Sequence, residues 1–138
     1  MKDRERELNV LFFKCVSNKE REMSKLIQEN IHFLLLCSSK KLTILQQKAL
    51  VKSMDKHQLN SVSEITLNIL KGGLDLDSEQ SKYLKQFAAK LRIIGSRRST
   101  IAQRRLVLNW NVLHAILVIA QPFLVQLLES IYSKNATQ

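Results

Sequence analysis

The chain has 138 residues and a formal net charge of +10, from 22 Lys/Arg against 12 Asp/Glu. That length argues for one domain with a core of modest size, and 45% hydrophobic residues exclude a disordered tail. A pI of about 9.9 points to an acidic partner: nucleic acid, an anionic membrane surface or an acidic protein.

The first ten residues, MKDRERELNV, are too charged for a secretory signal, so an intracellular setting is expected. In that setting Cys15 and Cys37 read as buried free thiols. Residues 4–16 predict a short helix, because Leu8, Leu11, Phe12, Cys15 and Val16 fall on one face. Ser17 and Glu20 match a capping box and open a second helix, residues 18–37, with Ile27, Ile31 and Leu34 inward. Its end, HFLLLC, is apolar nearly all round and should be central in the core.

Thr43 and Gln46 form another capping box. The helix they open should reach about Lys56 and bury Leu45, Ala49, Leu50 and Met54. Ser61 and Glu64 suggest a third box, opening a helix that buries Val62, Ile65 and Ile69. Gly72 and Gly73 should end it, since glycine accepts the left-handed conformation of a helix C-terminus. Asp77 or Ser78 caps the next helix, with Tyr83, Leu84, Phe87, Leu91 and Ile94 on one side and Gly95 at its close. Ser99 or Thr100 starts another, with Gln103 completing the box on Thr100. It should run to about Ala120, with Pro122 stopping or kinking it. A last piece covers residues 123–132. No alternating strand pattern and no hairpin dipeptide is present. The expected fold is all-α: a compact bundle of five to six helices with a long basic-to-apolar helix near the C-terminus. Residues 1–98 form the bundle in this division, and residues 99–138 a C-terminal segment packed with it as one domain.

Residues 82–105 carry eight Lys/Arg and no Asp/Glu. Arginine grips phosphate in bidentate fashion and lysine supplies a point charge. Lys82, Lys85, Arg92, Arg97, Arg98, Arg104 and Arg105 are therefore the candidate nucleic-acid-binding residues. Few aromatics are interleaved, so the chemistry suits binding to the phosphate backbone, of duplex DNA in the first instance, without base reading. Directly after this block, residues 106–128 contain no charge. Three readings stay open for them: a buried core helix, an interfacial or partner-binding helix, and a membrane span, although Asn109, Asn111, His114 and Pro122 interrupt the run.

No catalytic constellation stands out, and the chain reads as non-enzymatic with no cofactor. Asp75 and Asp77 read as a solvated helix N-terminus. His32, His57 and His114 lack metal-ligand spacing.

Residues 61–125 resemble the small basic proteins of Polinton-like elements and adintoviruses, which resemble in turn the small basic core-protein precursor of adenoviruses. The matching features are Leu91-Arg92, Arg97-Arg98, Ser99, Arg104-Arg105, Val107-Leu108 and Pro122-Phe123-Leu124. The Gly-Gly that the family places before its apolar tail is absent; Asn111-Val112-Leu113 stand there. The basic run is also thinner, with Ile101, Ala102 and Gln103 interposed. The resemblance implies a virion core or genome-associated structural protein of a virus or virus-like element. The implied location is the virion interior and host nucleus. It also makes Gly72 and Gly73 a candidate protease cleavage site, beside the helix-end reading of the same glycines. The alternatives are a membrane-active or membrane-anchored protein, and an adaptor. Each would use residues 106–131, toward a membrane or toward a capsid or other partner protein.

Overall fold

The computed structural model describes residues 25–136, with side chains as far as residue 133. The expectations for residues 4–16, Phe12, Cys15 and the Ser17 capping box lie outside the described residues. All the described secondary structure is helical, and the protein is all-α. After a helical stretch at residues 25–29 come α1 (Ile31–Cys37), α2 (Ile44–Ser53), α3 (Lys56–Leu70), α4 (Ser78–Lys85), α5 (Ala88–Gly95), α6 (Ile101–Val107) and α7 (Trp110–Ala136).

Four of these helices start on the same device. Thr43, Asp55, Asp77 and Thr100 each accept a hydrogen bond from the backbone N–H three residues on, and Gln46, Gln58, Gln80 and Gln103 reach back to the cap. Each box satisfies two donors that a helix start leaves unpaired.

The last helix organises the rest. Along α7, Val112, Leu113, Ile116, Leu117, Ala120 and Leu124 are fully buried. It packs against α1, α2, α3 and α4, while α3 lies along α5 and α5 on α6. Each buried Leu, Ile or Val contributes about 1.5–3 kcal/mol by leaving water, so a helix with this many at its centre fixes the others around it. Ile27, Ile31, Leu34, Ile65, Ile69, Leu84 and Leu91 are also buried, as their phasing predicts.

The differences from expectation have local causes. Leu45 is 80% exposed and Ala49 is exposed, so α2 does not turn the first part of its predicted face inward, whereas Met54 just past its end is buried as expected. None of its residues is fully buried. Leu50 and Phe87, expected in the core, are half-buried against it. HFLLLC is less central than its composition suggests, for Leu36 is 45% exposed, and a turn at Asn30 divides the predicted 18–37 helix. Ser61 and Glu64 do not open a helix: α3 begins six residues earlier, on Asp55. The Ser61 hydroxyl donates instead to the Gln58 carbonyl inside the helix, at 2.6 Å.

The predicted 78–95 helix is divided at Gln86 and Phe87, and Tyr83, expected inward, is 45% exposed. No glycine or proline marks that break. The helix expected from Thr100 to Ala120 divides at Leu108 and Asn109. There Asn109 Oδ1 accepts from Val112 N at 3.0 Å, which starts α7 afresh. Pro122 neither stops α7 nor begins a new piece. It sits on the exposed side while Phe123 and Leu124 stay buried, so core packing holds the helix across the missing N–H.

Candidate nucleic-acid interface

The basic residues are placed by three short elements. Asp77 starts α4, which carries Lys82 and Lys85 in its last turn. Arg92 lies in the last turn of α5. Arg97 and Arg98 occupy the turn between α5 and α6, where Arg98 N donates to Ser96 Oγ at 3.2 Å and Ser99 N to the Ser96 carbonyl at 3.2 Å. All five side chains are exposed, and so is Lys90 on α5. No acidic residue occurs from residue 80 to residue 128; the carboxylates of these elements are confined to the start of α4, at Asp77 and Glu79.

Arg104 and Arg105 belong to a different chemistry. Arg104 is half-buried and donates to the Ser96 carbonyl at 2.8 Å and to Asn60 Oδ1 at 3.3 Å. Burial pulls its pKa down from the usual guanidinium value, and the charge of Glu64 partly offsets that pull. Arg105 donates to the Met54 carbonyl at 2.7 Å. These two arginines tie α6 to the start of α3, to the α2–α3 junction and to the α5–α6 turn. The sequence groups all seven cations in one block; the structure leaves six of them exposed, Arg105 included, half-buries Arg104, and engages Arg104 and Arg105 in hydrogen bonds to other elements.

Thr100, one of the two starts the sequence offers, is the cap of α6. The helix starts at Ile101, not at Ser99, and two of its donors are already taken: Gln103 N donates to Thr100 Oγ1 at 3.1 Å, and Thr100 N to Gln103 Oε1 at 2.8 Å.

Gly72 and Gly73 form the turn that ends α3. Gly72 has φ +76°, its N–H donates to the Ile69 carbonyl at 3.1 Å, and Gly73 N donates to the Asn68 carbonyl at 2.8 Å. Both glycines therefore carry the hydrogen bonds of a helix C-terminal turn. At the head of α7, His114 Nδ1 lies 3.0 Å from the Cys37 carbonyl oxygen, and its ring stacks on Trp110 at 5.2 Å. Sequence reasoning missed this clasp, because it joins residues 77 positions apart. It also missed the structural use of Arg104 and Arg105, whose partners, two backbone carbonyls and the Asn60 side chain, carry no sequence signature.

No protein family, curated protein or solved structure matches this chain.

Proposed function

We propose that this protein is a non-enzymatic structural protein that associates with nucleic acid through its phosphate backbone, without reading sequence. The observation that carries the proposal is the exposed set Lys82, Lys85, Arg92, Arg97 and Arg98 on consecutive short elements, within a stretch, residues 80–128, that contains no acid. Exposed lysines and arginines at that density neutralise phosphates and release counterions, which favours binding to any duplex. The resemblance of residues 61–125 to small basic proteins of Polinton-like elements and adintoviruses supplies a setting: a virion core or genome-associated role in a virus or virus-like element.

The placement of residues 106–128 supports this reading over a membrane anchor. Trp110–Ser133 is long and apolar enough to cross a membrane, but 56% of its most apolar window is buried inside the bundle. A core helix has the same composition for a different reason: it is surrounded by protein. The test is fluorescence anisotropy on duplexes of unrelated sequence at one fixed salt concentration. Equal affinities are expected. Strong discrimination among the duplexes would call for base-reading groups and overturn the proposal.

A further inference from the structure

Helix α2 turns one face toward a groove. Ile44, Gln47, Lys48, Val51 and Lys52 line a cavity of about 440 Å³, and their spacing is i, i+3, i+4, i+7 and i+8, one side of a helix. Leu108 and Trp110, from the junction of α6 and α7, form the opposite wall. A second cavity of about 230 Å³ shares Val51, Lys52 and Leu108 and continues to Met54, Leu59 and Arg105. The two make one groove with an apolar floor. Ile44, at its open end, is 70% exposed.

The charges along it have one sign. Lys48, Lys52 and Arg105 line the groove and, among the described residues, no acid does. The nearest acid in sequence, Asp55, uses Oδ1 to accept Gln58 N at 2.8 Å. Arg105 is held at its end of the groove by the Met54 carbonyl, so a carboxylate arriving there meets a cation already in position. An apolar trough with a cationic edge selects a helix with an apolar stripe and acidic flanks: the stripe fills the trough and the carboxylates pair with the edge.

We propose that the groove between α2 and the α6–α7 junction docks an amphipathic helix of a partner protein that carries Asp and Glu beside its apolar stripe. Trp110 is the only tryptophan in the chain and lines the groove, so its fluorescence reports occupancy directly. The experiment titrates the full chain with a synthetic helical peptide that bears glutamates beside a leucine stripe, and with a counterpart that bears lysines instead. The acidic peptide should change Trp110 emission saturably, and the lysine peptide should not. The Lys48→Glu/Lys52→Glu variant, altered only at exposed positions, should bind the acidic peptide about tenfold more weakly and gain affinity for the lysine peptide. Equal binding of the two peptides, or an unchanged affinity in the variant, overturns the proposal. So does binding that appears only after residues 1–24 are removed, which would assign the groove to this chain's own N-terminal segment. A Trp110 response to anionic vesicles without any response to the acidic peptide would assign it to a lipid surface and overturn the proposal equally.

Discussion

Arg104 and Arg105 show how far a residue's type is from its use. In the sequence they are two more cations in a basic block. In the fold their guanidinium groups donate to carbonyls of Ser96 and Met54. A hydrogen bond from a charged donor contributes about 1.5–3 kcal/mol when buried. Arg104→Gln should therefore lower stability to denaturant by about 1–3 kcal/mol, with little change in affinity for DNA per folded molecule. Urea unfolding and anisotropy on the same preparation separate the two effects. Cys37 was easier to read: an apolar helix face predicts a buried thiol, and the thiol is fully buried. Burial pushes its pKa up to about 12 from the usual 9.0. The neutral thiol is thus the form the fold accepts, whereas the unfolded chain ionises it above its ordinary pKa. The unfolded state then binds fewer protons, so Cys37's contribution lowers stability as pH rises from about 9 toward about 12. The same burial should leave Cys37 unmodified by iodoacetamide at pH 8 in the native protein and alkylated in urea, as peptide mapping would show.

Helices were legible where their signals were local. The Thr43, Asp77 and Thr100 caps needed only a side-chain oxygen and a glutamine three residues on, and each is present. Asp55 with Gln58 has the same pattern, but the Ser61 and Glu64 pair further along competes with it in the sequence. Asn109 had a signal too, an asparagine inside an apolar run. Length and hydropathy alone concealed it, because a continuous helix satisfies both. The break at Gln86 and Phe87 had none. Gly95 belongs to the same class of hidden feature. It reads as a helix end, yet it is also a contact point between α5 and α3. A Cβ there would lie 3.0 Å from Leu70 Cδ1, 3.2 Å from Leu67 N and 3.3 Å from Thr66 Cγ2. Gly95→Ala should push the two helices apart and cost about 1–3 kcal/mol, measurable as a lower thermal midpoint. Thr100→Ala should cost about 1 kcal/mol by removing the cap of α6.

For the whole molecule, the sequence shows that the charge is concentrated but not which part of it reaches solvent. The all-α class followed from period and punctuation. The central position of α7 did not, since an apolar run after a basic block fits a core helix and a membrane anchor alike. In the bundle α7 carries much of the core, and Lys82, Lys85, Arg92, Arg97 and Arg98 are among the exposed cations. The central claim is that these five residues bind phosphate, and the most direct test is the salt dependence of duplex DNA affinity. Each neutralised phosphate contributes about −0.9 to the slope of log affinity against log salt. About four to five contacts predict a wild-type slope of roughly −3.6 to −4.5. Replacing Lys82, Lys85, Arg97 and Arg98 together by Gln should reduce the slope to roughly −1 and weaken all duplexes alike. A wild-type slope near zero, or equal slopes and affinities for the wild type and the fourfold variant, would contradict the account.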